Sequence, residues 1–155
     1  MLGLMQEQPL LISGLIDFAA RHHADGEIVS RRVEGDIHRT TYAQAAKRAR
    51  QVARALDRLK LGFSDRVATL AWNGYRHFEL YFGIAGSGRV MHTINPRLAP
   101  DQVAWIANHA EDQVLCFDMT FLPVVKAIWS GARRGLIVCI TRPLPAMPKY
   151  SSKWR

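Results

Sequence analysis

Apolar positions repeat along this chain with two different periods. In TYAQAAKRARQVARALDRLK, residues 41–60, Ala45, Ala49, Val52, Leu56 and Leu59 fall at helical spacing. That pattern predicts a helix with one buried stripe. Thr41 and Gln44 stand at its N-cap and N3 positions and predict a capping box, and Gly62 is the expected stop. Upstream, EIVSRRVEGDIHRTT (27–41) carries two short strand-like runs around Glu34-Gly35-Asp36, the pattern of a β-hairpin. Earlier still, Leu11, Leu15, Phe18 and Ala19 predict an amphipathic first helix.

Beyond Gly62, short apolar runs alternate with helical segments. DRVATLAW (65–72), RVMHTI (89–94) and QVLCFD (113–118) read as strands. Helices are predicted after the turn at Asn73-Gly74, in PDQVAWIANHA (100–110), and in MTFLPVVKAIW (119–129), where Pro123 is expected to interrupt. Strands separated by helices of this length need crossover connections. The predicted fold class is therefore α/β: a partial parallel sheet with helices on both faces, preceded by a short hairpin. Residues 1–129 form the predicted domain. Residues 130–155 hold one further strand, Leu136 to Ile140, and then a basic, Pro-rich tail without apolar period, expected to be disordered.

Charge sharpens that division. The net charge is +8, with 21 basic and 13 acidic residues. Six of the basic residues, from Arg133 to Arg155, lie in the tail, which contains no acid, so the rest of the chain is nearly neutral. A small basic protein binding nucleic acid or anionic lipid is the alternative this charge suggests, through the tail and the Arg-rich helix. The chain has no apolar run near the roughly 20 residues that span a bilayer. The N-terminus lacks the positive leading region and cleavage site of a signal peptide. Cys116 and Cys139 sit in apolar runs and read as reduced core thiols, so a cytoplasmic location is expected.

In parallel sheets, ligands gather at the carboxyl ends of the strands. Two polar groups fall there: Trp72 and Asn73 after one strand, and His92, Thr93 and Asn95 after the next. They are candidate pocket-rim residues, and ordinary turn chemistry accounts for them equally well. Gly83, Gly86 and Gly88 follow a helix rather than a strand, so they read as helix termination and close helix-sheet packing, not as a dinucleotide fingerprint. The sequence contains no G-x-x-x-x-G-K-[ST] phosphate loop. The six histidines are scattered outside metal-ligand spacing, and Glu111-Asp112 reads as a solvated helix end. The residues alone therefore define no catalytic set and no metal site.

The ordered elements of residues 40–118 resemble a known family. T-Y opens a basic helix, followed by G-x-x-x-D-R-V-A, W-N-x-x-x-x-x-E-x-Y, the segment H-T-I-N-P-R-L and the helix end N-H-A-E-D. This run is similar to the N-terminal part of adenylate-forming acyl-CoA synthetases, closest to bacterial medium- and long-chain fatty-acyl-CoA ligases, over residues 10–129. The resemblance implies ATP, Mg²⁺ and coenzyme A as cofactors and a fatty acid as substrate. The reaction it implies gives an acyl-adenylate and pyrophosphate, then acyl-CoA and AMP. It places His92 to Pro96 near the acyl and pantetheine channel, with Trp72 and Asn73 at the neighbouring strand end. The family's phosphate loop, Tyr-Gly-x-Thr-Glu element, ribose-binding Asp and catalytic Lys have no counterpart in these residues. A truncated enzyme, inactive alone, is the expectation. Its partial sheet would expose an edge through which it could associate.

Overall fold

The computed structural model describes residues 3–4, 7, 9–132 and 136–140. The order of elements is α1 (Ile12–His22), β1 (Glu27–Arg31), β2 (Ile37–Thr41), α2 (Tyr42–Arg58), β3 (Arg66–Leu70), α3 (Tyr75–Ala85), β4 (Val90–Thr93), α4 (Pro100–His109), β5 (Val114–Phe117), α5 (Leu122–Ile128) and β6 (Ile137–Ile140). β1 and β2 form an antiparallel hairpin in which Glu27 faces Thr41. The other strands make one parallel sheet in the order β4-β3-β5-β6. The predicted α/β class and the preceding hairpin are both present.

Strand alternation builds two cores from one sheet. Val67, Val114 and Cys116 point to the side of α2 and α3, where they meet Leu56, Leu61, Leu80 and Ile84. Ala68, Leu70, Leu115 and Phe117 point to the other side, against Val103, Ala107, Val125 and Ile128 of α4 and α5. β5 is buried along its whole length, whereas edge strand β4 is exposed at Val90 and Thr93. β6 extends the sheet beyond residue 129 through the pair Cys116↔Cys139. The remainder of the segment read as a disordered tail, 141–155, lies outside the described residues.

α2 begins as its sequence dictates. The Thr41 hydroxyl accepts from the Gln44 N–H at 3.3 Å, and the Gln44 side chain accepts from the Thr41 N–H at 3.2 Å. Its buried residues are Ala45, Ala46, Ala49 and Leu56. Leu59, placed on that stripe by spacing, is 37% exposed because the helix has already ended at Arg58. The stop comes from Lys60 at φ 60°, not from Gly62. Lys60 takes the left-handed conformation usually given to glycine. Gly62 instead donates its N–H to Asp65 Oδ2 at 2.7 Å.

Three further expectations are corrected. In α1 the buried residue is Ile16, while Leu15 and Phe18 are 63% and 58% exposed and Leu11 is also exposed. Ile16 stands to one side of the predicted stripe, beyond half-buried Ala19, so the packed face is rotated away from Leu11, Leu15 and Phe18. Pro123 does not interrupt α5 but stands in its first turn, where a missing N–H costs nothing. Gly83 serves helix-helix rather than helix-sheet packing: a Cβ there would come within 2.6 Å of Val52 Cβ and 2.7 Å of the Ala49 carbonyl oxygen. That absence of a side chain is what lets α3 lie against α2.

Candidate functional site

The carboxyl ends of β3 and β5 meet at a small cleft. Its walls include Trp72, Asn73, Gly74, Tyr75, Arg76, His77 and Asp118, with Arg31, Arg32 and Val33 from the hairpin. Asp118 follows β5 and is buried. Its Oδ2 accepts the Trp72 N–H at 2.9 Å, tying the two strand ends together. The Trp72 indole N–H reaches Thr120 Oγ1 at 3.2 Å, and its ring lies 5.0 Å from Phe121. Deeper in, His77 Nε2 sits 3.1 Å from the hydroxyl of buried Thr69. Burial holds the His77 pKa below its ordinary value, and the negative charge of Asp118 opposes that shift.

The hairpin is fastened over this end of the sheet. Arg76 donates to Glu34 Oε1 at 2.7 Å, and its guanidinium lies 5.0 Å from the Tyr75 ring centroid. The bond from Arg76 holds the Glu34 carboxyl below its usual range. On the same side, the His38 ring stacks on Tyr75 at 3.7 Å.

The five residues singled out from sequence separate into two groups. Trp72 and Asn73 line the cleft. His92, Thr93 and Asn95 do not line it, although β4 neighbours β3 and Thr93 is in register with Thr69. His92 leans the other way, with Nδ1 at 2.9 and 3.0 Å from the two carboxylate oxygens of Asp112. Asp112 lies just before β5, at the amino end of the sheet, and its side chain is fully buried. It is therefore not the solvated helix end expected from sequence. Burial raises the Asp112 pKa, and the bond from His92 opposes the rise. Asn95 Oδ1 accepts the Arg97 N–H at 3.0 Å, which makes it a turn residue.

His77 and Asp118 were not singled out from sequence. Their partners lie 8 and 46 positions away, and only the placement of Asp118 directly after a strand hinted at the rim. Among the described residues there is no group of three His, Cys, Asp or Glu side chains suited to a metal ion. The cleft is small, with polar groups tied to one another at the strand ends, and its lining residues carry no complete acid-base or nucleophilic set.

Residues 16–151 match the family described as AMP-binding enzyme. The chain belongs to that family. Acyl-CoA ligases are among its relatives. It is 55% identical over 128 residues to a 3-methylmercaptopropionyl-CoA ligase of Ruegeria lacuscaerulensis, covering 83% of this chain and 24% of the relative. It is 48% identical over 124 residues to a long-chain-fatty-acid–CoA ligase of Thermus thermophilus, covering 80% of this chain and 23% of that protein. A medium-chain-fatty-acid–CoA ligase of Ectopseudomonas oleovorans is 45% identical over 128 residues, covering 83% of this chain and 23% of the relative. The fold agrees: the anthranilate CoA ligase AuaEII superposes with a TM-score of 0.78 at 22% identity, covering 88% of this chain and 26% of that one. The chain thus spans about a quarter of the length of the relatives it matches. The nucleic-acid and lipid alternative finds no support in these relatives. Two arginines of the basic helix are engaged within the fold, Arg48 with Glu79 and Arg50 with Asp17. No helix among the described residues is long and apolar enough to cross a membrane.

Proposed function

We propose that this chain is the N-terminal segment of an acyl-CoA ligase. In the whole enzyme a carboxylic acid with an apolar chain would be activated by ATP and Mg²⁺ and passed to coenzyme A. The single observation carrying this reading is the 55% identity sustained over 128 residues with a 3-methylmercaptopropionyl-CoA ligase. Fatty acids and 3-methylmercaptopropionate share the chemistry required, a carboxylate on an apolar tail. The buried thiol of Cys116 suits a reducing cytoplasmic setting.

The described residues do not by themselves form a site where ATP and Mg²⁺ would react with an acid. They offer no metal-ligating cluster, and the sequence has no phosphate loop. No adenylation step is assigned to them. Their role is positional. Trp72 and Asn73 form part of the pocket rim, Asp118 fixes the Trp72 backbone, and His77 buttresses Thr69 beneath it. His92 instead holds Asp112 at the amino end of the sheet, while Thr93 and Asn95 stand at the carboxyl end of β4, beside the cleft but not lining it. An edge of the parallel sheet, β4 or β6, is the surface through which the segment would associate with further chain.

It follows that these 155 residues do not form acyl-CoA on their own. The test supplies the chain with ATP, Mg²⁺, coenzyme A and either octanoate or 3-methylmercaptopropionate and measures AMP. No AMP above background is expected. Sustained AMP formation that depends on the acid would overturn the claim of incompetence.

A further inference from the structure

A second, larger concavity lies between the hairpin and α2, with a volume of about 490 Å³. That is within the usual range for small-molecule sites. Arg32, Arg39, Lys47 and Arg48 line it, and no Asp or Glu does. The arginines are held from outside the groove. Arg39 donates to Glu27 at 2.7 Å, Arg48 donates through Nε to buried Glu79 at 2.6 Å, and Arg32 pairs with Asp36. Buried Glu79 holds the Arg48 guanidinium in place, so less of its side-chain freedom is lost when a ligand binds. Arg32 and Tyr75 line both this groove and the cleft at the strand ends, so the two are contiguous.

We propose that this groove is a binding subsite for an organic phosphate. Phosphate oxygens accept several charge-assisted hydrogen bonds at once, which matches a groove lined by one ammonium and by the guanidinium N–H groups of three arginines not already given to Asp36, Glu27 and Glu79. Four cations stand against three outlying carboxylates, so donor geometry rather than excess charge supplies the recognition. Binding is accordingly modest and weakens as salt rises. The assignment does not rest on the ligase reading, because it needs only the groove and its donors.

The test titrates the 155-residue chain with inorganic pyrophosphate, ATP and coenzyme A by calorimetry at low and physiological salt. Lys47→Glu and Arg54→Glu make the same charge change on the same helix, but Arg54 is exposed outside the groove. Lys47→Glu should weaken binding roughly tenfold, the loss of one charge-assisted hydrogen bond. Arg54→Glu should leave binding nearly unchanged. Lys47→Gln covers the case in which a new glutamate pairs with a neighbouring arginine, and circular dichroism checks that each variant is folded. Equal weakening by Lys47→Glu and Arg54→Glu would reveal diffuse attraction and overturn the proposal. So would the absence of binding at low salt, or coenzyme A binding that pyrophosphate does not compete away. Pyrophosphate competing with both nucleotides supports recognition of the phosphate itself.

Discussion

His92 Nδ1 lies within 3.0 Å of both carboxylate oxygens of Asp112, a side chain with no exposed surface. The pair joins an edge strand to the start of a central one across 20 residues of sequence. A buried carboxylate stripped of its partner costs about 1–3 kcal/mol or more, whereas replacing both partners by apolar groups is nearly neutral. His92→Leu is therefore expected to destabilise the fold by about that amount. His92→Leu combined with Asp112→Leu should recover most of the loss. Urea unfolding at neutral pH measures both.

The same pair sets a pH dependence. The Asp112 pKa is raised in the folded state, so the native chain holds this proton more tightly than the unfolded chain does. That preference favours folding at low pH and is lost as pH rises through the folded pKa. Removing His92 takes away the contact that opposes the shift, so His92→Leu should lose stability with rising pH more steeply than the parent chain. Unfolding curves collected across the acidic range would show it. Parallel curves for the two proteins would contradict it.

His77 carries the opposite sign. Its pKa is depressed by burial, so the native chain binds this proton less readily than the unfolded chain. Its contribution is present above the unfolded value, about 6.5, and is lost as pH falls through the folded pKa. Histidine proton resonances should show His77 titrating below the ordinary histidine value, about 6.5, and His77→Gln should flatten the stability profile below neutrality.

Gly83 sets two effects against each other. Alanine in a helix interior is favoured over glycine by about 1 kcal/mol. Here the added Cβ meets Val52 Cβ at 2.6 Å and backbone oxygen at 2.7 Å, and overpacking of this kind costs about 1–3 kcal/mol. The clash wins, since a backbone oxygen cannot swing aside as a side-chain tip can. Gly83→Ala is expected to lower the denaturation midpoint, and Gly83→Ala with Val52→Ala should restore part of it.

What was legible in sequence was local or periodic. The Thr41–Gln44 capping box, the hairpin around Gly35, the alternation of strands and helices and the position of Trp72-Asn73 just after a strand all follow from short-range patterns. Their physical causes act within a few residues. The misread positions depend on distant partners. His92 read as a rim residue beyond a strand, but it stands inside β4 and bonds to a buried acid 20 positions on. Asp118 holds the cleft through Trp72, 46 positions earlier, which no period encodes. In α1, apolar residues occupy both faces, so spacing could not decide whether Ile16 or the Leu15–Phe18 side is buried. Lys60 adopts a glycine-like φ, and no residue-type rule would have placed the end of α2 there.

The central claim is that these residues supply the N-terminal wall of an acyl-CoA ligase and need the rest of such an enzyme to act. Its most direct test is a chimera in which residues 9–129 replace the corresponding segment of the Ruegeria lacuscaerulensis 3-methylmercaptopropionyl-CoA ligase. The measurement is acid-dependent ATP–pyrophosphate exchange, with Asp118→Ala made in the same background. The predicted result is exchange by the chimera and a marked loss on Asp118→Ala. A folded chimera that catalyses no exchange, beside an active parent, would contradict the account.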